Sequence, residues 1–456
     1  SGDQLQITEF MASNDNQLVD ANGDYSDWIE IWNPTGDIID LEGYYLTDDE
    51  GEAKWAFPSA TLAPGAYLIV RASGVGEVSG TEIHTNFKLS RSAGGYLALL
   101  DKDGVTVIDE FKDYEEQRTD VSYGFSNTDK LGFFKNPTPS KSNNASIKGF
   151  VKDTQFSIDR GFYDESFELE ISTATADATI LYTLDGSEPK LGSVFVPAHG
   201  IAYDGPFTVE TTTTVRALAH KGGFESTNID THTYIFIDDV AKQPKQPEGW
   251  PETWGTDGEV PGRVVASDYE MDPRVVDNTI PGYSLRDALL DIPTLSVVMN
   301  RDDFIGDDGI YTNPQSRGAN FEKPCSMELI YPDGEEGFQV DCGVEIHGNS
   351  SRRPWRMQKH SLRVSFKTQY GPSTLRFPFL KDSSIEEYNK IVLRACFTDS
   401  WGLVSWGPPR YRPNDSQYIR DMWMKHSMRD MGHDTMDGNF MHVYVNGLYW
   451  GLFNPA

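Results

Sequence analysis

Apolar residues in this chain come in short alternating runs and nowhere in long ones. Leu5-Gln-Ile-Thr-Glu-Phe10 and Asp27-Trp-Ile-Glu-Ile-Trp32 near the start, and Thr294-Leu-Ser-Val-Val-Met299 near the end, place side chains with strand-like periods. Turn signals such as Asp103-Gly104 and Asn446-Gly447 separate the runs, and 41 Gly and 25 Pro supply the breaks. Such a chain folds into several small β units, about three at ~150 residues each. No run reaches the ~18–20 apolar residues of a membrane-spanning helix. No signal peptide opens the chain, and Ser1 suits the first residue after a removed one.

Charge narrows the partners. Lys and Arg number 39 against 70 Asp and Glu, a net charge of −31, whereas nucleic acid and anionic lipid both need a basic face. Disorder is excluded by the 10 Trp, 21 Tyr and 24 Phe.

Residues 1–145 predict a β-sandwich of immunoglobulin size, closed by the polar segment Lys135–Asn144. Ile7-Thr-Glu-Phe10, Asp24-Tyr-Ser-Asp-Trp-Ile-Glu-Ile-Trp-Asn33, Tyr45-Leu-Thr-Asp-Asp49 and Phe87-Lys-Leu-Ser90 resemble the lamin-tail domain in its secreted bacterial form. The resemblance implies an immunoglobulin-like fold with an adhesive or organising role. Residues 146–240 predict a second sandwich of about seven strands. There Ile180-Leu-Tyr-Thr-Leu-Asp-Gly-Ser-Glu-Pro189 and the Thr-rich strand Thr211–Ala217 resemble the C-terminal domain of chitobiase and β-hexosaminidase. That resemblance implies a spacer without catalytic residues.

Residues 241–291 form a Pro- and Trp-rich linker, expected to lie across the next domain with a short helix at Leu285–Leu290. Trp250 and Trp254 either stack on sugar or, more simply, pack on that domain. Residues 292–456 combine strands with a helix over Tyr418–Met431, capped by Asn414 or Asp415 and carrying Ile419, Met422, Trp423 and Met431 near one face. The whole reads as two immunoglobulin-like all-β sandwiches followed by an incomplete α+β kinase-like domain.

The kinase-like reading rests on Gly343-Val-Glu-Ile-His-Gly-Asn-Ser-Ser-Arg352, Lys359-His-Ser-Leu-Arg-Val-Ser-Phe366, Tyr418-Ile-Arg-Asp-Met-Trp423 and His442-Val-Tyr-Val-Asn-Gly-Leu-Tyr-Trp-Gly-Leu-Phe-Asn-Pro455. These resemble the CotH (spore coat protein H) family of atypical protein kinases. The resemblance implies ATP and Mg²⁺ as cofactors of the full-length form. It makes Lys359 the nucleotide-facing lysine with Glu345 as its ion-pair partner, and Arg352 and Arg363 further cations for phosphate. It also places the family's metal-binding and catalytic acids beyond Ala456, so no catalytic residue is assigned and this chain is expected not to phosphorylate. Phosphoryl transfer needs cations on the phosphates, Mg²⁺ ligands and an acidic base. The Gly348-Asn-Ser-Ser351 turn offers N–H groups to an anion.

Two further clusters stand apart. Asp20, Asn22 and Asp24, with Asp27, have oxygen spacing suited to Ca²⁺ or to a solvated Asx-rich turn. Cys325 and Cys342 flank a Pro-Asp-Gly turn, which sets them opposite one another as a disulfide or as two reduced thiols. Cys396 reads as a buried free thiol. His426, His433 and His442 lack metal-site spacing, and no serine sits in a nucleophile elbow. Two functions remain open. One is an extracellular or cell-surface protein with a kinase-like end. The other is a non-catalytic adhesion or surface-organising protein, with an extracellular protein or surface glycan as partner.

Overall fold

Alternation becomes sheet wherever one face of a strand finds a core. The computed structural model describes residues 4–79, 81–192, 197–380, 383–402 and 413–456. It divides into Ser1–Val151 with Lys221–Glu225, and Lys152–His220 with Ser226–Ala456.

The first unit is a sandwich. Its larger sheet is built on β1 (Gln6–Met11) and β2 (Asp27–Trp32), and β3 (Tyr67–Ala72) extends it from β2. The facing sheet centres on β4 (Gly95–Leu100), which pairs antiparallel with β5 (Val107–Tyr114). Phe10, Ile29, Ile31, Val70, Leu97, Leu99 and Phe111 fill the space between the sheets. The opposite face of the β1–β2 pair is also buried in part. Glu9 and Glu30 are fully buried and lie opposite each other in the β1–β2 register. Neutral donors hold them: Thr8 Oγ donates to Glu30 at 2.6 Å, while Ser122 Oγ and the Thr138 hydroxyl and N–H donate to Glu9. Ser140 N–H also donates to Glu30. The polar segment Lys135–Asn144 is thus pinned to the sandwich by its two buried acids.

In the second unit β6 (Thr179–Thr183), β7 (Thr213–His220) and β8 (Asp230–Phe236) form the spine of the second sandwich. A closed barrel follows, in the order β9 (Thr294–Val298), β10 (Lys323–Ile330), β11 (Phe338–His347), β12 (Ser361–Ser365), β13 (Lys390–Arg394), β15 (Leu448–Pro455) and β14 (Met441–Val445). The sheet expected in 292–456 therefore closes on itself, through a parallel β9–β14 pair with Leu295 opposite Val443. Val297, Met327, Leu329, Val344, Leu362, Val364, Ile391, Leu393 and Val443 pack its interior. Cys325 and Cys342 are directly paired across β10 and β11, with sulfurs 3.5 Å apart and both thiols free and buried.

Polar contacts join sandwich to barrel within this unit. Glu328 on β10 is fully buried and accepts from Thr233 N–H of β8 at 3.0 Å, with Arg160 at 3.3 Å. The Gln243 carboxamide accepts from Tyr449 N–H at 2.8 Å, capping the start of β15. The linker aromatics pack on the barrel, Trp250 lying 5.6 Å from Trp450 and Trp254 5.0 Å from Tyr311. The expected short helix occupies Leu285–Leu289, with a Ser284–Asp287 capping box.

The late helix runs Arg420–Asp430 and corrects two expectations. Its N-cap position is Ile419, which has no capping side chain, and neither Asn414 nor Asp415 serves. Of its apolar residues only Met422 is buried; Trp423 is 66% exposed and Met431 68%. Among the described residues no helix is long and apolar enough to cross a membrane.

Candidate functional site

Gly451 opens the site. A Cβ there would sit 3.0 Å from Lys359 Cδ, and its φ of 136° lies in glycine's range. The Tyr-Trp-Gly-Leu run thereby lets the Lys359 stem pass over β15, and the Nζ donates to Leu452 O at 2.8 Å and Tyr418 Oη at 3.1 Å. The ammonium also lies 5.0 Å from the Tyr418 ring centre and 5.2 Å from that of Phe453. No carboxylate among the described residues pairs with it. Desolvation lowers its pKa to about 8.

Around this amine lies a cavity of about 530 Å³. Trp254, Tyr269, Tyr311, Trp401 and Trp450 give it aromatic walls. Trp401 stacks on Tyr418 with ring centres 5.3 Å apart, and remains 60% exposed. Tyr311 organises the opposite side. Its hydroxyl donates to Gln358 O at 2.7 Å and accepts from His360 N–H at 3.0 Å and Trp450 Nε1–H at 3.2 Å. It thus fixes the backbone on both sides of Lys359. The rim carries Asp268, Glu270 and Asp272, each engaged by a cation: Lys245 lies 3.3 Å from Asp268 and 3.8 Å from Glu270, and Arg274 grips Asp272 at 2.6 Å.

The other residues expected at a nucleotide go elsewhere. Glu345 does not pair with Lys359. It lies opposite Arg363 in the β11–β12 register and accepts from Arg363 Nε at 2.9 Å. Strand alternation explains the correction, because 345 and 363 share the outer face of the barrel whereas Lys359 precedes β12. Arg352 has no free face. Its guanidinium donates to the carbonyls of Gly348, Pro314, Ser316 and Ile346, and it is 6% exposed. Arg352, Arg363 and Glu345 line a separate cavity of about 710 Å³.

In the first unit Asp20, Asn22, Asp24 and Asp27 line a cavity of about 460 Å³ with His84 and Lys88. Asp20 Oδ1 already accepts from Asn22 N–H at 2.9 Å and Asp24 N–H at 2.8 Å. Burial raises Asp27 to about 6, against a backbone hydrogen bond from Leu89. Among the described residues no three His, Cys, Asp or Glu side chains gather as a metal site.

Tyr311, Gln358 and Trp401 are absent from the sequence-based site. Phe304-Ile-Gly-Asp-Asp-Gly-Ile-Tyr311 matches no phosphate-loop pattern, and the use of Tyr311 as a brace depends on a barrel closure that no local pattern announces.

Family models match three stretches of the chain in order. A Lamin Tail Domain matches residues 1–115, a chitobiase/beta-hexosaminidase C-terminal domain residues 158–231, and a CotH kinase protein residues 344–455. Comparison with curated proteins gives no match. The protein therefore has lamin-tail and chitobiase-type immunoglobulin-like domains, of kinds compatible with an extracellular or surface location, followed by a kinase-like part similar to CotH.

Proposed function

We propose that the kinase-like part binds a nucleotide in the Lys359 cavity, within an extracellular or surface protein whose two sandwiches position it. One observation carries this reading: Lys359 is a cation without a carboxylate partner among the described residues, set in a cavity with an exposed, flat aromatic face at Trp401. An amine held only by neutral oxygens gains most from an arriving anion, and an indole face suits a purine. Lys359 would meet phosphate and Trp401 the base. For Mg²⁺ the donor set is wanting, since the rim acids already hold Lys245 and Arg274 and no metal cluster gathers among the described residues. The geometry supports nucleotide binding alone.

The test is calorimetry with ATP on the full chain, with and without Mg²⁺. Wild type binds, Lys359→Ala loses roughly tenfold or more, and Trp401→Ala loses a comparable amount if a base stacks there. Affinity falls as pH rises through about 8, where the amine loses its proton. Absence of binding by the wild type rejects the nucleotide reading and leaves the adhesion function.

A further inference from the structure

The second barrel cavity reverses the sign of the chain. In a protein of net charge −31, this space of about 710 Å³ is lined by Arg317, Arg352, Arg363, Lys367 and Lys390 against only Glu322 and Glu345. The two carboxylates are spent locally, Glu345 on Arg363 and Glu322 on Lys367 at 2.6 Å. Arg317 and Lys390, both exposed, are left without a carboxylate among the described residues, and the buried Arg352 adds charge although its donors are committed to carbonyls. Arg317 and Arg352 both donate to the single carbonyl of Gly348, at 3.2 and 2.8 Å, which holds two guanidinium groups side by side. Lys390 joins from β13, one strand over, opposite Ser365. The Gly348-Asn349 turn forms part of the wall, and Gly348 is fixed there by a φ of 113° and by Ser351 Oγ, 2.2 Å from where a Cβ would lie.

We propose that this cavity is a binding site for a phosphate or sulfate monoester, separate from the Lys359 cavity. Crowding cations costs electrostatic energy that a dianion recovers, and the Arg317 guanidinium and the Lys390 ammonium are the groups with donors to offer a tetrahedral oxyanion. The volume admits the organic part of an ester as well as its anionic head. The local field has a second sign: besides burial, Arg363 and Arg352 hold His347 below the ordinary histidine range, and Arg317 adds to burial in lowering Arg352. An anion in the cavity relieves each of these repulsions.

Calorimetry on the full chain with O-phosphoserine and with N-acetylglucosamine 6-sulfate tests the site, serine and N-acetylglucosamine serving as blanks. Binding of either ester supports the proposal, and the tighter one identifies the source of the anion. Arg317→Ala/Lys390→Ala, both at exposed positions, should weaken binding about tenfold or more, and salt should weaken it further. Lys359→Ala should leave it unchanged. Binding of neither ester overturns the proposal, as does full affinity in the double variant. Loss of ester binding in Lys359→Ala would move the anion to the other cavity and equally overturn it. Failure of ATP binding in the Lys359 cavity touches none of these outcomes.

Discussion

Buried carboxylates are handled differently in the two units of the chain. In the first, Glu9 and Glu30 face each other across adjacent strands and receive only neutral hydroxyl and N–H donors. In the second unit Glu328 also accepts from neutral donors, at Thr233, but Arg160 lies 3.3 Å away as a countercharge. In the first arrangement burial favours the protonated form of two facing acids; in the second, burial also raises Glu328, but the Arg160 guanidinium opposes that shift and ties sandwich to barrel. A neutral-donor site is tuned by pH, while an ion-pair site is broken by removing one partner.

The largest expected effect breaks the second arrangement. Glu328→Ala strands the Thr233 N–H and leaves the Arg160 charge without its partner, and removal of one member of a buried pair costs about 3–5 kcal/mol. Glu328→Gln retains an acceptor for Thr233 and should cost distinctly less. Thermal unfolding of the full chain, followed by tryptophan fluorescence, reads both. Equal, small losses in the two variants would show that the contact does not carry the junction.

The second prediction sharpens the contrast through pH. Burial, followed by the nearby Glu9 charge, raises Glu30 to about 7, while its hydrogen bonds from Thr8 and Ser140 pull the other way. Unfolded, the same carboxyl titrates near 4.5. Between those values the folded state holds the proton and the unfolded state has released it. Stability of the first sandwich therefore falls as pH rises from about 4.5 to about 7, by at most about 3 kcal/mol. Burial also raises Glu9 and Asp109, which act in the same sense. Glu30→Gln should flatten the profile in this window. A wild-type profile that climbs between pH 5 and 7 would contradict the assignment.

These acids also mark what a sequence reveals and what it hides. Asp27-Trp-Ile-Glu-Ile-Trp32 reads as a strand because the β period is local, and the strand occupies those residues. Cys325 and Cys342 are legible as partners because one short turn sets their register. The burial of Glu9 and Glu30, by contrast, has no local signal, since Thr138 and Ser140, more than 100 residues on, supply the donors that cover them, Thr138 to Glu9 and Ser140 to Glu30. The barrel is hidden for the same reason: its closing pair joins Leu295 to Val443. Half of the candidate site follows suit. Lys359 and the Tyr-Trp-Gly-Leu hairpin are visible as motifs, but the brace at Tyr311 and the diversion of Glu345 to Arg363 arise only from the three-dimensional register.

The smallest expected effect concerns Ca²⁺ at Asp20, Asn22, Asp24 and Asp27, where a third group of acids meets neither a buried partner nor a deep site. One oxygen of Asp20 is committed to two backbone N–H groups that shape the loop. Arg71 braces the loop by donating to the Val19 carbonyl at 3.0 Å and pairing with Glu82 at 3.0 Å, and it supplies positive charge beside Asp20. Asp27 is half-buried, and desolvation raises its pKa to about 6, so it offers a poorer anion than a free carboxylate. A hard cation that wants six to eight oxygens would have to undo the Asx turn before collecting its ligands. Millimolar CaCl₂ should therefore shift the melting of the full chain by less than about 1 °C, since stabilisation follows the ratio of ligand to dissociation constant. A rise of several degrees, abolished by Asp24→Asn, would show that the loop rearranges to ligate, and that its acids behave unlike Glu9 and Glu30 or Glu328.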